Sequence, residues 1–258
     1  MDRQSKAFPT IGNGLLGALW VQGGKEIVVL SPHPDDAALD CSDHILAWKE
    51  LGLQVSVVTV FTRLVTSSTE GPARDSLADL QRIRIYEDNK AMSALGVSWN
   101  QLGFVDAAFR YDRENLRYSD VGRRRSTSND QMLNVLIRTI LSLRNQSVFV
   151  VPLGVGGHLD HILVREAAEG AVDPTDLYYY VDYPYALSVF NWTRSNLAKV
   201  MRARRSIRWM SKAKKQLLQM YSSQIPLVFS HSRFSIPWIT WTILRSYPEI
   251  ILYQKRIE

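Results

Sequence analysis

Short apolar runs separated by longer amphipathic stretches set the strongest limit on what this chain can fold into. EIVVLS and LQVSVVTVFT read as buried strands, separated by a helix from Ala38 to Leu51 that ends near Gly52. Ser76 to Leu95 is a second helix closed by Gly96, followed by WNQLGFVD, a short strand. Met132 to Arg144 and Ile162 to Gly170 read as further helices on either side of the very apolar strand VFVVPL. LYYYVDYPYAL is an aromatic strand broken at Pro184. Alternation of this kind implies parallel βαβ units, because a parallel neighbour is reached only through a crossover. The expected fold is α/β, a Rossmann-like three-layer sandwich with a mostly parallel sheet. Residues 1–258 are taken as a single domain in which residues from about 186 onward form a mainly helical or irregular C-terminal extension.

A chain of 258 residues, 46% hydrophobic and 22% charged, can bury a sizeable core without disulfides. Cys41 is its one cysteine, which excludes an intramolecular disulfide and a multi-cysteine zinc site. No apolar run approaches the ~20 residues of a membrane span; Ile236 to Leu244 is too short and contains Pro237. MDRQSKAFPTIGNG lacks the apolar core of a signal peptide, so a cytoplasmic protein is expected. The net charge of +6 gathers partly in KVMRARRSIRWMSKAKK, residues 199–215, which hold no acid. That block reads as a solvated helix face with an apolar stripe, or as a contact for an anionic partner.

Two clusters stand where open α/β sheets place their sites, at the carboxyl ends of strands. His33-Pro34-Asp35-Asp36 follows EIVVLS, and His158-Leu159-Asp160-His161 follows VFVVPL across the turn GVGG. Charge beside a core is costly unless paired, hydrogen-bonded or metal-bound. Asp35 or Asp36 could simply cap the next helix. Together, however, the clusters offer imidazoles and carboxylates, suitable zinc ligands. With a helix starting near Leu159, His158 and His161 share a face, and Asp160 can orient a histidine. A catalytic zinc takes about three protein ligands and keeps one position open. Two histidines and a carboxylate meet that need, leaving a carboxylate and a histidine for proton transfer.

These residues resemble the PIG-L/LmbE family of zinc-dependent N-deacetylases, whose hallmark is His-Pro-Asp-Asp after the first strand and a later His-x-Asp-His. SPHPDDAALDC and GGHLDHILVREAA carry the likeness. RIRIYEDNKAMSALGV, QLGFVDAAF, YYYVDYPYA and KKQLLQMYSSQI extend it in order from about Glu26 to Gln224. The resemblance implies that His33, Asp36 and His161 bind one Zn2+ per chain and that Asp35 is the general base. It implies that His158 stabilises the oxyanion and protonates the leaving amine, with Asp160 orienting it. Arg84 and Asp106 occupy substrate-contacting positions. The implied activity is hydrolysis of an N-acyl, typically N-acetyl, group on a small-molecule amino sugar or glycoconjugate. Nucleic acid is not an expected partner, and a homo-oligomer stays open.

The chain departs from the family at Asp40-Cys41-Ser42-Asp43, where a glycine turn is usual, and at the loop Arg63 to Asp75. A nicotinamide dehydrogenase is disfavoured, because HPDD stands in place of a Gly-x-Gly-x-x-Gly phosphate loop. Two rivals stay open. One is another metal-dependent hydrolase, gripping a phosphate ester through the basic segment. The other is a retired deacetylase fold that binds nucleic acid or an anionic ligand through Lys199 to Lys215 and Arg123, Arg124 and Arg125.

Overall fold

A computed structural model of the chain describes residues 26–65, 71–110, 131–143, 147–187, 204–225 and 247–253. Seven strands form one sheet: β1 (Glu26–Ser31), β2 (Val55–Arg63), β3 (Ser98–Val105), β4 (Ser147–Pro152), β5 (Leu177–Tyr180), β6 (Arg204–Arg208) and β7 (Glu249–Tyr253). Their order is β3-β2-β1-β4-β5-β7-β6. The first five strands run parallel, whereas β7 pairs antiparallel with both β5 and β6. The helices are α1 (Asp36–Glu50), α2 (Gly71–Leu95), the one-turn α3 (Ala107–Arg110), α4 (Gln131–Leu143), α5 (Leu159–Ala171) and α6 (Lys212–Leu218). The expected α/β sandwich and mostly parallel sheet are present.

The two-residue period of a strand divides the core between the faces of the sheet. Ile27, Val29, Val57, Val148 and Val150 pack under α1, α2 and α6 with Trp48, Met92 and Leu217. Their sequence neighbours Val28, Leu30, Val58, Phe149 and Val151 meet α4 and α5 through Leu136, Ile140, Leu163 and Ala167. Burying strands on both faces explains their near-continuous apolar runs. Each fully buried Val, Leu or Ile side chain contributes roughly 1.5–3 kcal/mol. Among the described residues, no helix is long and apolar enough to cross a membrane.

Where it is described, the C-terminal part adds strands to helix and irregular structure. It supplies β6 and β7, so it extends the sheet as well as covering it. From Arg204 on, the basic block is strand β6 followed by α6 rather than one helix with an apolar stripe. Ser211 ends any such continuity by capping α6, its hydroxyl accepting the Lys214 N–H at 3.0 Å. Ile207 and Trp209 are exposed. Arginines along an edge strand discourage pairing with a further strand. Residues 199–203, Arg123 to Arg125, and Ile236 to Leu244 lie outside the described residues.

The departure at Asp40 to Asp43 is where this C-terminal part is fastened. Glu249, at the start of β7, is fully buried against α1. Its Oε1 accepts from Ser42 Oγ, the Asp43 N–H and Lys214 Nζ at 3.1, 2.9 and 2.8 Å. Its Oε2 accepts from the His44 N–H and faces His44 Nδ1, both at 3.0 Å. Asp43 takes the Ser211 N–H, Asp40 takes the Tyr183 N–H, and the Tyr247 hydroxyl donates to the Leu39 carbonyl. Polar residues at these positions therefore serve as anchors along a buried helix. A second tie links α2 to the turn after α6. Glu87 accepts from the Ser223 N–H and the hydroxyls of Ser222 and Ser223, while Asp88 accepts from Tyr221 and Thr59.

Burial alone would raise the Glu249 carboxyl, but Lys214 and His44 pull it from the ordinary 4.5 down to about 2. A depressed acid stabilises the fold above its unfolded value and loses that contribution as pH falls toward its folded value. Lys214→Met leaves the buried carboxylate without its cation. It should cost about 3–5 kcal/mol in urea unfolding at neutral pH, and the deficit should shrink as pH drops below 4.5.

Candidate active site

β2 and β3 lie on one side of β1, and β4 and β5 lie on the other, so the chain reverses its direction across the sheet between β1 and β4. Ligand sites of open α/β sheets form outside the carboxyl ends of strands at such a point. Here β1 and β4 pair directly, which brings their following loops together. The rings of His33, His158 and His161 lie 4.9 to 5.4 Å apart, centroid to centroid.

The β1 loop separates the two adjacent aspartates. Neither carboxylate caps α1. Ser31 does that work, its hydroxyl accepting the Ala37 N–H and donating to the His33 carbonyl. Asp36 accepts the His33 N–H at 2.8 Å, and its Oδ2 lies 3.4 Å from His33 Nδ1 and 3.5 Å from His161 Nε2. Asp35 makes no capping bond and adopts φ 118°, the one positive φ at a non-glycine among the described residues. Such backbone costs on the order of 1–3 kcal/mol and gathers at functional sites. It turns two neighbouring carboxylates apart. Burial and the Asp36 charge push the Asp35 carboxyl well up. Burial acts on Asp36 too, but His161 and His33 outweigh it and hold that carboxyl below its usual range.

On the β4 side, three successive features aim the α5 residues. Gly154, Gly156 and Gly157 all have positive φ, and a Cβ on Gly156 would stand 2.7 Å from Tyr185. Asp182, after β5, accepts the Gly154 and Val155 N–H groups at 2.8 and 2.9 Å and His161 Nδ1 at 2.6 Å. That bond places the ring proton on Nδ1 and leaves Nε2 to face Asp36. His158 is the N-cap of α5, its Nδ1 accepting the Asp160 N–H at 3.3 Å. Burial, with His33 and His161 nearby, lowers its pKa to about 3. The ring is therefore neutral with its proton on Nε2.

Asp160 has a different partner from the one the sequence suggests. Its carboxylate takes His33 Nε2 at 3.0 Å, the Ala107 N–H at 2.9 Å and Arg110 Nη2 at 2.7 Å; its tie to His158 runs through its backbone N–H. Burial opposes ionisation there, but His33 and Arg110 hold the carboxyl well below the usual range. Burial would likewise lower His33, yet Asp160, Asp36 and Asp106 raise it.

All the sequence-derived residues belong to this end of the sheet. Asp106 lies 3.9 Å from His33 Nε2. Arg84, on α2, is close enough to Asp35 to favour its charge, and its buried Nε has no hydrogen-bond partner. Two sets bring three ligand atoms within 4.8 Å of one another: His33, His158 and His161, and His33, Asp106 and Asp160. Asp36 adds a carboxylate at contact distance of two of these imidazoles. The buried imidazole and carboxylate donors fit a divalent cation. Asp160 and Asp182 hydrogen-bond the outer nitrogens of His33 and His161, which leaves the other nitrogen of each ring facing Asp36. Asp182 and Arg110 escaped the sequence reading. Asp182 did carry the same signal as HPDD, an acid directly after an apolar strand.

Comparison with known proteins identifies the family and the fold. Residues 28–172 match the family model PIG-L, described as GlcNAc-PI de-N-acetylase. A 2'-N-acetylparomamine deacetylase from Streptomyces fradiae is 29% identical over 163 residues, which span 62% of this chain and 57% of that protein. The structure of a zinc-inhibited teicoplanin deacetylase superposes with a TM-score of 0.63 at 19% identity, covering 91% of this chain and 100% of that one. N,N'-diacetylchitobiose deacetylase from Pyrococcus horikoshii gives 0.51 at 18% identity, with 89% and 84% covered. With its family match running from β1 through α5 and including both strand-end clusters, the chain belongs to the PIG-L family.

Proposed function

We propose that the protein is a zinc-dependent N-deacetylase acting on an N-acyl amino sugar or a sugar-bearing metabolite. The observation that carries this reading is the convergence of His33, Asp36 and His161 at 3.4 and 3.5 Å beside an Asp35 held at φ 118°. The S. fradiae relative named a deacetylase of an N-acetylated amino sugar supports the substrate class.

His33, Asp36 and His161 would hold one zinc ion. When bound there, the ion polarises the amide carbonyl and lowers the pKa of its water to about 7. Asp35, turned away from Asp36, takes the proton of the attacking water. Its burial and the neighbouring charge raise its basicity above that of an ordinary carboxylate. The Arg84 charge on α2 limits that rise. His158 donates its Nε2–H to the oxygen that becomes negative as the tetrahedral intermediate forms. A neutral imidazole is a hydrogen-bond donor but a weak acid. The proton collected by Asp35 can pass to the leaving amine as the C–N bond breaks, yielding a free amine and a carboxylic acid, which ionises by releasing its proton to solvent. Asp106 and Arg84 flank the place where a sugar hydroxyl would sit.

Release of acetate or another acid from a panel of free and conjugated N-acyl amino sugars tests the reading. Absence of turnover together with absence of stoichiometric metal would refute it. Asp35→Asn should keep zinc and lose turnover by about 10²–10⁴-fold. His158→Ala should lower kcat by about 10²–10³-fold while zinc affinity stays within a few-fold; loss of zinc instead would make His158 a ligand. Asp182→Asn should weaken zinc about 10–100-fold in chelator competition, because His161 loses the partner that sets its ring proton.

A further inference from the structure

Arg110 belongs to neither strand-end cluster, yet three elements fix its guanidinium at the back of the site. Nη2 donates to Asp160 Oδ1 at 2.7 Å, and Nη1 donates to the Val105 carbonyl at 2.7 Å. The guanidinium carbon lies 4.9 Å from the centre of the Phe61 ring on β2. Its target, Asp160, is wholly buried on α5. The second oxygen, Oδ2, receives the Ala107 N–H at 2.9 Å and His33 Nε2 at 3.0 Å. Guanidinium and imidazole thus hold opposite oxygens of one carboxylate.

We propose that Arg110 is a positioning residue: by locking the Asp160 carboxylate it selects the Nε2–H form of His33 and aims Nδ1 at the centre of the site. The aim of Nδ1 at a cation rests on the reading of His33 as a metal ligand; the choice of ring form does not. A carboxylate can rotate about its last bond and present either oxygen. With Oδ1 bound by the planar fork of Arg110, Oδ2 alone faces His33. An ionised carboxylate only accepts, so Nε2 must carry hydrogen, and in the neutral ring Nδ1 then presents its lone pair. Nδ1 is the nitrogen beside Asp36, at 3.4 Å. His161 is set in the opposite sense, with Asp182 on Nδ1 and Nε2 turned inward. The site thus needs one imidazole in each form, and Arg110 secures the form of His33.

The test uses the full-length protein with Arg110→Met and Arg110→Lys. Ring nitrogen shifts of His33 are read by long-range proton–nitrogen NMR, in metal-free protein at a pH where the ring is neutral. Zinc affinity is read by chelator competition, and thermal unfolding controls for folding. The unaltered protein should show one Nε2–H form. Arg110→Met should populate the Nδ1–H form, weaken zinc about 10–100-fold, and lower kcat more than it changes KM. Arg110→Lys keeps the charge without the fork and should recover part of the affinity. Should the Met variant fail to fold, the Lys variant carries the same comparison. Unchanged ring shifts and zinc affinity would overturn the proposal, as would a loss of activity confined to KM with the ring form intact. An unaltered protein that takes up no zinc would refute the metal reading instead, and the ring shifts would still decide the role of Arg110.

Discussion

The direct pairing of β1 with β4 is the constraint on which the site depends. Each strand delivers its own charged cluster, and neither cluster alone surrounds a cation. Val29 opposite Val150 sets the register, and the apolar packing of both sheet faces holds it. Buried histidines and carboxylates then gather at one strand end. The cost of desolvating them is offset by mutual pairing and backbone hydrogen bonds.

Within that cluster, carboxylates do three separate jobs that follow from where each one points. Asp36 faces the inward nitrogens of two imidazoles. Asp160 and Asp182 stand behind those rings and settle which nitrogen is inward. Asp35 is held apart by an unusual backbone torsion and keeps its carboxylate uncommitted to any cap. Four acids of nearly identical chemistry are thus divided by geometry.

The middle of α1 ties the site to the rest of the chain. The helix that begins at Asp36 is buried along most of its length, and β7 and α6 lock onto its middle through Glu249 and Lys214. The Glu87 and Asp88 contacts give the Arg84-bearing helix the same kind of anchorage. The residues that present Arg84 and Asp35 are therefore held in place by segments distant in sequence.

The alternation of strands and helices, the parallel sheet and the two histidine-aspartate clusters are legible in the chain before it folds. These signals are local, written in period-two apolar runs and in charge set against them. Helix starts were less legible: α1 begins at Asp36 rather than Ala38, and α2 at Gly71 rather than Ser76. A polar first turn resembles loop until its backbone bonds are seen. Strands β6 and β7 are hard to read from sequence: β6, RRSIR, shows no apolar run, and β7, EIILY, is short and lies far along the chain from β5, with which it pairs. The partner of Asp160, the backing of His161 by Asp182 and the place of Arg110 were decided only by the tertiary structure. Each joins residues from separate elements, and a carboxylate in a sequence does not say which of several nearby donors it will face. That choice is made when the strands close, because burial then leaves each acceptor a few donors at fixed distance and angle.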